Sequence, residues 1–287
     1  MGVVLPVLFA LLAALSNATA TVLQRRAALT VPQSQGFRFS LIADLLRRPV
    51  WLGGMLAVVV AGAGQAAALA TGPLSLVQPL FVLELPLALL LASLSAGRRL
   101  PLAMWTAVAG VVVGLGVALA AAAPYGGHDQ VSGTRWLSGL VACAAAAVLL
   151  AGAGLRRPVG KARAGCLGAA TAVCYALTAA LMKDSMGVLD THGVTGFFTA
   201  WQTYAFAAAG VAAVLLLEHS MQGGPLVASQ PALTLGDATV SLLLGVFLYL
   251  EHLRTGWWLL PQLLGVALVV LGVLTLARRG VDLRTGT

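Results

Sequence analysis

The chain has 287 residues, of which 60% are hydrophobic and only 9% are charged. Soluble domains carry about 25% charged residues, so this composition excludes a water-soluble globule and predicts an all-α, polytopic integral membrane protein. The net charge of +8 does not indicate nucleic-acid binding, because no soluble basic domain is present and basic residues beside apolar spans are topology signals. We therefore expect a lipid bilayer around the chain and no nucleic-acid partner.

Motifs for catalysis or metal binding are absent from the sequence. Cys143, Cys166 and Cys174 lie in apolar segments without CxxC or His-rich spacing, which indicates neither a disulfide framework nor a metal site. The sequence also lacks HExxH, a serine-nucleophile motif and the phosphate-cradling GxxxxGK[ST]. We expect a protein that is not an enzyme and uses no cofactor. Any energy that it uses is expected to come from ion gradients.

Apolar runs of about 20 residues, the length that crosses a bilayer, follow one another along the chain. No Lys or Arg precedes Arg25, so the first run lacks the positive start of a signal peptide and predicts a retained helix. The stretch FRFSLIADLLRR at 37–48 has helical apolar spacing and predicts an interfacial amphipathic helix. The nine predicted spans are 3–22, 51–71, 74–95, 102–123, 136–155, 164–182, 196–217, 228–250 and 256–277.

Basic residues predict the orientation, because Lys and Arg accumulate in cytoplasmic loops. With the N-terminus outside, only Arg135, Lys183 and Arg254 of the 17 Lys and Arg residues fall outside. An odd number of spans then leaves the C-terminus inside. We predict a multi-pass protein of the cytoplasmic (plasma) membrane with the N-terminus outside and the C-terminus inside.

An internal repeat relates the two halves of the sequence. The pattern GPL…QP at 72–79 recurs at 224–231, and the first span at 14–27 aligns with 172–185. The expected units are a four-helix repeat at 1–123, a linker with the fifth helix at 124–163, and a second four-helix repeat with the C-terminal tail at 164–287. Because one helix joins them, the repeats run in opposite directions, as in many secondary transporters whose site lies at the repeat interface.

Polar residues inside apolar spans are the candidate site. Glu84 is an acid in an apolar run, and such a residue is a functional hypothesis by default. The strict repeat equivalent of Glu84 is Gly236, and Asp237 lies one place beyond it. Glu84 could carry a proton, oppose a cationic substrate, or be a structural carboxyl bonded to a helix backbone. Asp237 could equally belong to a solvated helix segment near the cytoplasmic face. The candidate pathway residues are Glu84, Asp237, Gln78, Gln230, Gln65, Asn17 and Tyr175, with Gln202 as a further polar residue and Pro79, Pro86 and Pro231 as helix-break positions.

The remaining acids near span ends are expected to be boundary residues. Glu218 and Glu251 each stand where a predicted span meets the next link. We expect both side chains to be solvated.

These motifs carry a resemblance to a known superfamily. The stretches SLVQPLFVLELP, VASQPALTLGD, LGVALVVLGVLTLA and FLYLEHLRTG resemble the EamA-type drug/metabolite transporter (DMT) superfamily. Nine helices and the run from Pro49 to Leu80 are similar to its NIPA-type magnesium-transporter branch, in which an acid stands where this chain has Gln65. The resemblance implies a transporter.

The expected function is transport of a small solute across the membrane by alternating access. An alternative is passage of a divalent cation such as magnesium, although hard cations want several oxygen ligands. A third, of another class, is a membrane scaffold or lipid-responsive component. Apolar faces alone do not separate a homodimer contact from a lipid contact, so a homodimer stays open.

Overall fold

The computed structural model describes residues 3–29, 49–97 and 100–285. Within these ranges the chain is helical and contains no β-strand, only an isolated bridge between Tyr125 and His252. The same ranges hold nine helical spans long and apolar enough to cross a membrane. The prediction of an all-α, multi-pass membrane protein is therefore confirmed, whereas the amphipathic helix predicted at 37–48 lies outside the described residues.

Ten α-helices and two short 3-10 segments make up the nine spans. The third span contains two helices, α3 and α4, joined by the 3-10 segment Phe81–Leu83, and a second 3-10 segment, Gly256–Trp258, precedes α10. The helices are α1 Val4–Leu29, α2 Pro49–Thr71, α3 Leu74–Leu80, α4 Glu84–Ser95, α5 Leu102–Ala122, α6 Gly133–Leu155, α7 Lys161–Thr199, α8 Trp201–Gln222, α9 Leu226–Phe247 and α10 Leu259–Thr285.

The sixth span is much longer than the sequence predicts. Its apolar run ends at 182, but α7 continues through Lys183 and Asp184 to Thr199, with a kink at Gly193, where φ is 67°. Both charged side chains are buried, and each has hydrogen-bond partners inside the protein. The helix continues because these partners replace water.

The prolines act differently in the two related spans. Pro79 and Pro86 flank the 3-10 segment that interrupts the third span. Since each proline removes an N–H and crowds the carbonyl four residues earlier, the tighter turn between them absorbs the mismatch. In contrast, α9 contains a single proline, Pro231, and is not broken at the predicted position.

Helix packing joins the two halves through two central contacts. In the first half α1 packs on α2 and α4, and in the second half α7 packs on α8 and α9. Across the halves, α3 packs on α9 and α5 packs on α10. The α5–α10 contact is made by glycines: a Cβ added to Gly114 would lie 2.7 Å from the carbonyl oxygen of Gly265.

Candidate functional site

A cavity of about 1250 Å³ lies between the two halves of the helix bundle. Its lining also includes residues where α1 and α4 end and α5 begins, namely Arg26, Ser95, Ala96 and Leu100. The cavity therefore reaches this end of the bundle, which we call the mouth end. All seven polar residues predicted from the sequence line it: Asn17, Gln65, Gln78, Glu84, Tyr175, Gln230 and Asp237.

The two acids enter this cavity from different halves. Glu84 is the first residue of α4, directly after the 3-10 segment, and Asn17 on α1 lines the same cavity. Asp237 lies on α9, where Ser241 Oγ approaches its Oδ1 at 3.4 Å. Both carboxyl groups therefore line the same cavity, one from each half of the chain.

The one-residue offset between the acids has a packing reason. Gly236, the strict repeat equivalent of Glu84, faces α7, and a Cβ added there would lie 2.8 Å from the Cβ of Ala172. A carboxylate side chain does not fit in that space. The neighbouring position, Asp237, faces the cavity instead.

Gln78 is the most buried polar group of the cavity wall. Its side chain is only 3% exposed, and its Nε2 has no hydrogen-bond partner within the described part of the chain. A buried donor without a partner costs about 1–3 kcal/mol, so such groups normally bind water or a ligand. Gln78 therefore has an unused hydrogen-bond donor at the wall of the cavity.

The ionisable side chains of the cavity wall away from its mouth are acids. Among its described lining residues the charged ones are Glu84, Asp237 and Arg26. Arg26 lies at the mouth end, where it donates a hydrogen bond of 2.5 Å to the carbonyl oxygen of Ser95. Most of the remaining wall is apolar, with Phe81 and Leu89 as examples.

The cavity does not have the ligand set of a metal centre. No group of three or more His, Cys, Asp or Glu side chains that could hold a metal occurs in the described ranges. The three predicted helix-break prolines are also outside the cavity lining. They shape the helices that carry the polar residues.

A second polar cluster fixes the opposite end of the bundle, at the turn between α2 and α3. Glu251 accepts hydrogen bonds from the backbone N–H groups of Leu74 (2.6 Å) and Ser75 (2.8 Å) and from the Ser75 hydroxyl (2.5 Å). Lys183 Nζ donates to the carbonyl oxygen of Gly72 at 2.8 Å. The helix dipoles stabilise an acid at the start of one helix and a cation at the end of another. We call the pair Glu251 and Lys183 the α2–α3 clamp.

The clamp corrects one expectation from the sequence. Glu251 was expected to be a solvated boundary residue, but it is 2% exposed. Beside it, the Lys183 ammonium lies 5.5 Å from the ring centroid of Tyr249, and the Tyr249 hydroxyl donates to the carbonyl oxygen of Ala180. Burial raises the pKa of Tyr249 well above its ordinary value of 10.0, so the phenol stays neutral.

Asp184 forms the other buried ionic group at this end. It accepts hydrogen bonds from the Val131 N–H (2.9 Å), Trp136 Nε1 (2.9 Å) and Gln202 Nε2 (3.0 Å). Gln202 was expected near a central cavity but instead holds this carboxylate. Asp184 thereby ties α7 to α6 and α8.

A comparison with known proteins finds a relative that is similar to this chain over most of its length. The chain is 31% identical, over 278 residues, to the protein named "Uncharacterized protein Cgl0250/cg0304" of Corynebacterium glutamicum, and the match covers 95% of this chain and 94% of the relative. The chain belongs to the same family as this protein. No known family's sequence profile and no solved structure matches the chain. The match to the relative therefore extends over nearly the whole of both chains.

Proposed function

We propose that the chain is a secondary transporter that moves a small solute across the cytoplasmic membrane by alternating access. The observation that carries the proposal is the cavity of about 1250 Å³, lined by acids from both halves and reaching one end of the bundle. The α2–α3 clamp holds helix ends together at the other end. Alternating access requires a solute site that is open to one end of the bundle while the other end is closed.

The packing of the helices supports two inverted repeats. The contacts of α1 with α2 and α4 have counterparts in those of α7 with α8 and α9. With repeats at 1–123 and 164–287 and a linker helix between them, the cavity lies at the repeat interface. The predicted orientation places the mouth end at the cytoplasm.

The resemblance to the EamA-type drug/metabolite transporters supports the same function. Magnesium transport of the NIPA type is less favoured, because two acids and no cluster of three metal-binding side chains in the described ranges supply few of the oxygen ligands that a hard cation needs. A scaffold role gives no reason for a polar cavity between the two halves.

Flux into proteoliposomes tests the proposal. Purified protein is reconstituted, and uptake of labelled amines, amino acids, sugars and Mg²⁺ is compared for the parent, Glu84→Gln and Glu218→Gln. Glu218 is exposed and lies outside the cavity lining. We expect at least one organic solute to enter and its rate to fall about tenfold or more in Glu84→Gln, since a charge-assisted contact worth about 1.4 kcal/mol is a factor of ten, while Glu218→Gln matches the parent.

Two outcomes count against this function. Uptake no faster than in empty liposomes for every solute, with folded protein, would exclude transport. Uptake of Mg²⁺ alone, lost in Glu84→Gln, would favour the divalent-cation alternative.

A further inference from the structure

We infer that the cavity binds an organic cation, an ammonium or similar group with apolar substituents and a hydrogen-bonding oxygen. The inference rests on the proposed function and names the substrate class of that same cavity. It follows from the charge, size and polarity of the described lining.

The charge of the lining favours a cation. Glu84 and Asp237 both face the cavity, and the basic residue of the described lining, Arg26, is at the mouth and bonded to Ser95. A carboxylate away from bulk water is costly unless a proton or a counter-ion neutralises it. A cationic solute would meet this need, whereas an anionic solute would be repelled.

The size of the cavity favours an organic molecule over a bare metal ion. Pockets for small organic ligands measure about 300–1000 Å³, and this cavity, at about 1250 Å³, is at least as large. A metal ion would need six or more oxygen atoms converging at little more than 2 Å. The described residues contain no group of three or more His, Cys, Asp or Glu side chains that could begin such a ligand set.

The wall between the polar groups favours a cation with apolar substituents. Phe81 and Tyr175 line the cavity together with Leu85, Leu89 and Met182. Aromatic faces attract ammonium groups, and aliphatic side chains cover carbon substituents. A strongly hydrated inorganic cation would gain nothing from these walls.

Gln78 adds a requirement for a hydrogen-bond acceptor. Its Nε2 is buried and lacks a partner in the described chain, although the side chain lines the cavity. A hydroxyl or ether oxygen on the solute would accept this hydrogen bond. The cavity therefore offers a cation site and a donor within one space.

Equilibrium binding to the full chain in detergent tests the inference. The probe is labelled tetraphenylphosphonium, competed by choline, by its neutral isostere 3,3-dimethylbutan-1-ol, and by ethyltrimethylammonium, which lacks the hydroxyl. We expect choline to displace the probe at a concentration about tenfold or more below that of the neutral isostere. Choline should also compete better than ethyltrimethylammonium, and Gln78→Leu should abolish that second difference.

Variants locate the binding. Glu84→Gln and Asp237→Asn should each weaken probe binding about tenfold, while the exposed controls Glu218→Gln and Asp190→Asn should bind like the parent. Glu84→Asp and Asp237→Glu keep the charge and should retain most of the affinity, which separates loss of charge from misfolding.

The inference is overturned if the neutral isostere competes as well as choline, if both charge-removing variants bind the probe normally, or if folded parent protein does not bind it. Transport of a neutral or anionic solute in the flux assay, together with any of these results, would remove the cation assignment and leave the transporter proposal intact. Absence of all flux, together with cation binding that depends on the two acids, would remove the transporter proposal and leave the cation assignment intact.

Discussion

At the scale of single residues, burial decides what each polar side chain does. Asp184 and Glu251 are both almost completely buried, yet each oxygen has donors, so they act as structural anchors. Glu84 and Asp237 have fewer partners and line open space. A buried acid with donors on both oxygens is therefore an anchor, and an acid with fewer donors that lines a cavity is the candidate for a site.

Replacement of Asp184 by Ala should destabilise the protein strongly. It would leave the Val131 N–H, Trp136 Nε1 and Gln202 Nε2 without their acceptor. Each unsatisfied buried donor costs about 1–3 kcal/mol, so we expect the melting temperature in detergent to fall by about 6 °C or more.

The matched control is Asp190→Ala, an exposed acid on the same helix. Exposed substitutions usually change stability by less than about 0.5 kcal/mol, so its melting temperature should stay close to that of the parent. Equal melting temperatures for both variants would show that the three hydrogen bonds of Asp184 contribute nothing to stability.

At the scale of elements, the contact between α5 and α10 depends on glycine. A Cβ on Gly265 would lie 2.5 Å from the carbonyl oxygen of Gly114 and 2.6 Å from the backbone nitrogen of Ala118. Backbone atoms cannot rotate away as a side chain can, so even Gly265→Ala must separate the helices. Overpacking of this kind costs about 1–3 kcal/mol.

Gly116→Ala is the control for this contact. Gly116 is on α5, but an added Cβ would meet no atom within 4 Å, and Ala is the better helix former by about 1 kcal/mol. We expect a lower melting temperature for Gly265→Ala and an unchanged or higher one for Gly116→Ala. The reverse order would show that α5 and α10 do not pack through these glycines.

Much of this architecture could be predicted from the sequence, because the bilayer restricts the choices. An apolar run of 20 residues must be a helix, and a polar residue within it must avoid lipid. Gln65, Gln78 and Glu84 were therefore expected to share a cavity, and they do. The two repeats, the orientation and the roles of these residues stay predictions.

The clamp could not be predicted, because its partners are far apart in the sequence. Glu251 and Leu74 are 177 positions apart, and no spacing rule connects them. The length of α7 could not be predicted for the same reason, because it depends on contacts that are distant in the sequence. Lys183 and Asp184 look like the start of a polar link until the Gly72 carbonyl and the Trp136 indole N–H are known to lie beside them.

At the scale of the whole molecule, the clamp and the cavity mouth lie at opposite ends of one bundle. In alternating access, the opening of one end accompanies the closing of the other, so a variant that weakens the clamp should shift the population between two states. Glu251→Gln removes the charge that accepts three hydrogen bonds at the start of α3. Its effect should therefore reach the mouth end.

Hydrogen–deuterium exchange of the full chain in lipid nanodiscs, comparing Glu251→Gln with the parent, tests this coupling most directly. We predict faster exchange at the clamped end, in backbone amides of 72–77, and slower exchange at the mouth end, in 21–26 and 92–97. Faster exchange at both ends would indicate loss of stability alone. That result, or a change confined to the clamped end, would contradict alternating access.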